Sequence, residues 1–311
     1  MSHKFWNLIV ITTILSLFGL VLFSCGTPAP ASTELNLVDG LGRSVTLNSP
    51  AEKIVSLAPS NTEILYAIGA GGKVVGRDTF SDYPADAGAI TDIGGGYGEL
   101  DMETIVSLAP DLVLAAELTT SEQITSMEDL GLTVYVLKNP VTFEDLYQNL
   151  ETVGELTGQK AEAESLINSL KDRVSAVQKK VKTATSTPLV FYELDSTDEN
   201  APYTSGPGTF VDTLITQAGG VNLGSSLTGT WVQISIEDLL VRQPDVIILG
   251  DYTWGGVTPE NVVARDAWKS LNAVQNQKIY TFDDNLISRP GPRMVDGLEQ
   301  MATLIHPELF K

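Results

Sequence analysis

ETIVSLAPDLVL, residues 103–114, and EDLLVRQPDVIIL, residues 237–249, share one layout. In each, a Glu opens a short helix-type segment, and seven residues later Pro-Asp ends it and starts an apolar run of strand type. Each also follows a strand-then-helix unit that closes on glycines, AIGAGG at 67–72 and TQAGG at 216–220. The simplest explanation of this internal echo is an α/β chain of two similar lobes with mainly parallel sheets. Open sheets of that kind bind ligands beyond the carboxyl ends of their strands, so the expected site is a cleft between the lobes.

Upstream of the first echo, LNLVDGLGRSVTL alternates apolar and polar residues around Asp39-Gly40, a hairpin signal. KIVSL follows as a short strand, and Pro59-Ser60-Asn61-Thr62-Glu63 opens a helix in which Ser60 and Glu63 fit a capping box. A second strand is expected at Lys73 to Gly76. Between the echoes, residues 142–182 carry helix periodicity with a break at Thr157-Gly158. Residues 159–182 place Leu166, Leu170, Val174, Val177 and Val181 on one face and would span about 36 Å as a helix. The organisation expected is an N-terminal lobe at 35–157, a stiff connecting helix at 158–184 and a C-terminal lobe at 185–311.

The first residues read differently. His3 and Lys4 precede the apolar run Phe5 to Phe23, and Ser24 stands before Cys25, the single cysteine of the chain. A charged start, an apolar stretch and a small residue make an export signal, here 1–24. The alternative is an uncleaved anchor helix, because the run approaches spanning length. LFSC followed by Gly26 resembles a bacterial lipobox, in which the cysteine thiol receives a diacylglycerol and becomes the mature N-terminus. The Pro-, Ser- and Thr-rich stretch that follows reads as a tether, residues 25–34. The location implied is the extracytoplasmic face of the cell membrane.

Composition removes several classes of function. The chain has 311 residues, 43% hydrophobic and 19% charged, enough for two cores. A net charge of −20 with only 19 Lys and Arg opposes binding to nucleic acid. Only His3 and His306 are available as imidazoles, and there is no G-x-S-x-G, H-E-x-x-H or Walker motif, so no enzyme is expected. Bare zinc or manganese would also lack its usual ligands, so any metal must arrive already chelated. His306 reads as a surface residue in the last helical turn. A structural or adhesive lipoprotein without a ligand cleft remains the second class.

Seven motifs in order carry a family resemblance: DGLGRSVTL, KIVSLAPSNTEILYAIGAG, SDYP, METIVSLAPDLVL, YTSGPGTFVDTLITQAGGVNL, TWVQISIEDLLVRQPDVIIL and RPGPRMVDGLE. Together they resemble the helical-linker group of importer substrate-binding proteins, the periplasmic-binding family that takes cobalamin, ferric siderophores and haem. The cobalamin-binding members look most similar. The resemblance implies a monomer that captures a small metal chelate, cobalamin or a related corrinoid, and delivers it to the permease subunits of an ABC importer. Haem and ferric siderophores are the alternatives. No cofactor of its own is implied.

The same resemblance assigns residues. Glu103 and Glu237 match the two tip glutamates that pair with permease arginines; the plain alternative is a Glu complementing a helix dipole. Tyr83, Tyr97 and Trp231 match positions where relatives set rings against the ligand, against the alternative of core packing. Trp254, in DYTWGG, is a looser match. Arg289 in RPGPR has the chemistry to pair with a ligand carboxylate or phosphate, whereas Arg293 reads as a surface residue at a helix start. Asn285 stands where the cobalamin-binding pattern would have an acid. Tyr97, a few residues before Glu103, also lies close to the position of a haem-ligating tyrosinate.

Overall fold

The computed structural model describes residues 34–96 and 98–311. The signal, Cys25 and nearly all of the tether fall outside the described residues, and so does Tyr97. A hairpin comes first, β1 (Leu35–Val38) against β2 (Ser44–Leu47). Asp39 closes its loop by accepting from the backbone of Leu41 at 3.0 Å and Arg43 at 2.9 Å, and from the Arg43 guanidinium.

The N-terminal lobe then runs β3 (Ile54–Ser56), α1 (Pro59–Ala67), β4 (Val74–Arg77), β5 (Thr91–Asp92), α2 (Met102–Ser107), β6 (Leu112–Ala116), α3 (Ser121–Asp129), β7 (Val134–Leu137) and α4 (Phe143–Thr157). Its strands form one sheet in the order β5-β4-β3-β6-β7, every pair parallel. After the connecting helix α5 (Lys160–Val181) come β8 (Leu189–Glu193), β9 (Tyr203–Ser205), α6 (Phe210–Gln217), β10 (Val221–Asn222), β11 (Trp231–Gln233), α7 (Ile236–Arg242) and β12 (Val246–Leu249). The chain ends with α8 (Tyr252–Gly255), α9 (Pro259–Ala264), α10 (Asn272–Gln275), β13 (Ile279–Thr281), α11 (Asn285–Ser288) and α12 (Met294–Ile305). Here the sheet order is β10-β8-β12-β13, again all parallel, with β9 and β11 as a separate antiparallel pair. Deleting β5 superimposes the two strand orders. The α/β class with parallel sheets in two similar lobes is therefore present.

The echo holds at the level of atoms. Asp101 caps α2 by accepting from Thr104 N, and Ser235 caps α7 by accepting from Asp238 N. Each helix ends at a non-glycine residue of positive φ directly before the proline, Ala109 at 47° and Gln243 at 51°. Asp111 then accepts from Lys53 N at 2.9 Å, and Asp245 from Leu189 N at 2.8 Å, so each Pro-Asp ties its strand to the start of the neighbouring one. The strands that follow, β6 and β12, are buried throughout, as expected for interior strands of a parallel sheet.

Helix α5 is shorter by one residue at each end than the periodicity predicts, and it is no free strut. Gly158, left-handed at φ 74°, ends α4 and lets α5 fold back along it. One continuous core joins Leu146, Leu150 and Val153 of α4, Leu170 and Val174 of α5, and Leu214, Val295 and Leu298 of the C-terminal lobe. On its other flank Arg173 reaches α12, bonding Glu299 at 2.9 and 2.7 Å. Burial of one stripe against both lobes, more than helix propensity, holds this element in place.

Three local expectations are corrected. α1 has no side-chain cap: its N-cap is Ala58, Pro59 supplies the first turn, and Ser60 and Glu63 are buried. Pairing across the lobes, described below, takes the Glu63 carboxylate away from the helix start. His306 is buried as well, at 1% exposure, because its ring packs on the left-handed turn at Gly219, with Nε2 3.2 Å from the Gly219 carbonyl. Arg293 is turned inward rather than to the outer surface.

Candidate functional site: a cleft between the lobes

A cleft of about 590 Å³ opens between the carboxyl ends of the two sheets. The N-terminal lobe lines it with Leu57 and Pro59 after β3, Asp78 and Phe80 after β4, and Ala116 and Leu118 at the end of β6. From the other lobe come Trp254 on α8, Asp284 after β13, and Arg289. This is the strand-end location that open α/β sheets favour, and the size suits one small ligand. Leu118 and Trp254 are 86% and 61% exposed, a large apolar offer at the mouth.

The glycine run beside Phe80 is shaped by close approach. Gly94, Gly95 and Gly96 all have positive φ, and a Cβ on Gly96 would collide with the Phe80 ring. Only glycine lets this loop lie flat against the cleft wall.

Two carboxyls on the lining are perturbed. Burial pushes Asp78 up to about 6, even though the Ser81 hydroxyl and the Phe80 and Ser81 amides hold its ionised form. Asp284 rises to about 6 for the same reason, with the Tyr192 hydroxyl 3.4 Å away. Behind them, Asp251 is pushed up to about 7 by burial and then by the charge of Glu193. Glu193 itself is fully buried in a two-pronged pair with Arg265 at 2.6 and 3.0 Å, and the guanidinium lies 4.5 Å over the Trp268 ring.

The residues singled out from sequence are dispersed. Arg289 does line the cleft, but its guanidinium is bonded to Asp82 of the opposite lobe. Tyr83 is 47% exposed and outside the lining, and Arg293 stacks on its ring at 4.0 Å. Trp231 is 49% exposed on β11, outside the lining. Trp254, the looser match, is on the lining. Glu103 and Glu237 are exposed, each the second residue of its helix, and among the described residues neither makes an ion pair. Sequence reasoning missed Asp78, Phe80 and Asp284. The signal was present: each follows the carboxyl end of a strand, where the fold rule puts ligand contacts.

These features define a two-lobed binding protein, and comparison with known proteins agrees. The chain belongs to the periplasmic binding protein family, whose model matches residues 54–286. It is 34% identical over 310 residues to YvrC of Bacillus subtilis strain 168, an uncharacterized ABC transporter substrate-binding lipoprotein, covering 96% of both chains. It is 30% identical over 279 residues to the cobalamin-binding protein of Halobacterium salinarum, covering 86% of this chain and 73% of that one. Among solved structures, a Staphylococcus epidermidis protein described as a possible iron-binding (periplasmic solute-binding) protein superimposes with a TM-score of 0.74 at 30% identity, over 83% of this chain and all of the other. The chain is thus a substrate-binding protein of the ABC transporter class. Among the described residues no helix is long and apolar enough to cross a membrane.

Proposed function

We propose that this protein is the lipid-anchored, extracytoplasmic receptor of an ABC importer, and that it captures cobalamin or a related corrinoid in the inter-lobe cleft. The observation that carries this reading is the cleft itself. Phe80, Leu57, Leu118 and Trp254 present apolar and aromatic surface from both sheets around a volume of about 590 Å³. A flat macrocycle gains most from burying such surface, and a few polar groups suffice to orient it. The kinship with a named cobalamin-binding protein supports the same choice. Tyr83, Tyr97 and Trp231 extend the aromatic surface in this proposal, and Arg289 fixes the cleft wall. Diacylation at Cys25 supplies the two acyl chains that stable membrane residence needs. Glu103 and Glu237, matched in position and both exposed, orient the receptor on permease arginines.

A ferric chelate or haem is the second reading, favoured by the structural likeness to the Staphylococcus epidermidis protein. The absorption spectrum of the protein purified from its native source separates the two, because corrinoids and haem absorb in distinct visible bands. A corrinoid spectrum supports the proposal; a haem spectrum replaces it.

A further inference from the structure

The charges around the cleft do not match an anionic cargo. Arg289 is the one basic residue on the described lining, and its guanidinium is already neutralised by Asp82. The next arginine, Arg293, is held by Glu63 and covered by the Tyr83 ring. What remains on the lining is Asp78 on one wall and Asp284 on the other. Among the described residues neither carboxylate has an arginine or lysine hydrogen-bonded to it: Asp78 accepts from the Phe80 amide at 3.0 Å and the Ser81 hydroxyl at 3.2 Å, and Asp284 faces the Tyr192 hydroxyl. Asp78 is buried, at 1% exposure, and Asp284 is half-buried, and a charge in such places acts more strongly than on an open surface.

We propose that Asp78 and Asp284 make the cleft selective by charge, so that it admits neutral or cationic metal chelates and rejects those carrying free carboxylates. The inference deepens the corrinoid reading and rests on it for the identity of the cargo. A corrinoid bearing amide side chains meets no charge repulsion from either residue, and half-buried Asp284 can accept from an amide N–H. A ligand carboxylate in the same place meets a like charge and finds no free guanidinium, and repulsion of that kind is how a site excludes near neighbours of its ligand.

The test compares pairs of ligands that share a macrocycle and differ chiefly in the charge of their side chains. Binding of cyanocobalamin is measured against its monocarboxylate derivatives, in which one amide is a carboxylate, and haemin dimethyl ester is measured against haemin. Wild type at pH 7.5 is expected to bind the uncharged member of each pair at least tenfold more tightly, about 1.4 kcal/mol. In Asp78→Asn and Asp284→Asn that ratio is expected to fall toward one, whatever each variant does to the affinity for the uncharged member. The ratio is also expected to shrink at pH 5.5, where both carboxyls take up protons. Corrinoid binding with equal affinity for amide and carboxylate forms overturns the charge selection and leaves the corrinoid reading standing. Binding of the porphyrin ester alone, with the ratio intact, overturns the corrinoid reading and leaves the charge selection standing. Binding of none of the four overturns both.

Discussion

Arg293, just before α12, holds both carboxylate oxygens of Glu63 on α1, with Nε 2.9 Å from Oε2 and Nη2 2.5 Å from Oε1. The two residues belong to different lobes, and the pair is largely shielded, with side chains 15% and 2% exposed. Tyr83 closes one face of the guanidinium. A Cβ at Gly291 would lie in van der Waals contact with Ser60 and Glu63. Arg289 and Asp82 make a second bond across the same seam. Two ion pairs thus join the lobes, one of them through Arg289 on the cleft lining, and α5 packs against both lobes.

Breaking that clasp on one side should be costly. Glu63→Ala strands a guanidinium and Arg293→Ala strands a buried carboxylate, and losing one partner of a buried pair typically costs about 3–5 kcal/mol. Urea unfolding should show each single variant destabilised by roughly that amount. The double variant Glu63→Met with Arg293→Leu should recover most of it, since no charge is left unpaired. Equal destabilisation by the double variant would mean that packing, not charge, sets the loss.

Stability should also depend on pH in a direction set by the buried acids. Asp78 and Asp284 at about 6 and Asp251 at about 7 all lie above the ordinary carboxyl value. The folded protein therefore holds protons that the unfolded chain releases. Their contribution is fully present below the unfolded value of about 4 and is lost as pH rises through 6 to 7. The urea midpoint should be higher at pH 5.5 than at pH 8, and Asp251→Asn should narrow the difference. A difference unchanged in that variant would contradict the assignment.

Much of this was legible in the sequence, because repetition is a strong signal. The Pro-Asp echo fixed two similar lobes, and both parallel sheets follow from it. What stayed hidden depended on contacts between residues distant in the chain. Ser60 and Glu63 fit a local capping rule, yet Glu63 meets Arg293 from 230 residues away. His306 read as a terminal surface residue until the Gly219 turn packed on it. The aromatic matches Tyr83 and Trp231 came from alignment rather than from position at a strand end, which is why Asp78, Phe80 and Asp284 went unnoticed.

Docking and binding should separate cleanly. Glu103 and Glu237 lie on exposed helix starts, not on the cleft lining. Changing both to Arg should leave ligand affinity within twofold and abolish uptake, because like charges would then face each other across the proposed permease contact. Parallel loss of affinity and uptake, measured on the purified protein and in cells, would place these residues in the binding site instead.

Anchoring has its own test. If the proposed diacyl attachment holds the protein, Cys25→Ala should move it from the membrane to the soluble fraction. Retention after an alkaline wash would identify the apolar run as a spanning helix.

The aromatic wall can be weighed residue by residue. Trp254→Ala should weaken ligand binding by about 2 kcal/mol, the scale of an aromatic hot spot. Trp231→Ala should cost less than that, as its ring stands outside the lining. The reverse order would move the ligand toward the β9–β11 hairpin.

The most direct measurement is calorimetric titration of the purified mature protein with cyanocobalamin, alongside haemin. One-to-one binding of cyanocobalamin with micromolar or tighter affinity, and weaker binding of haemin, is the expected result. No heat with cyanocobalamin at micromolar protein, together with tight binding of haemin, would contradict the corrinoid assignment.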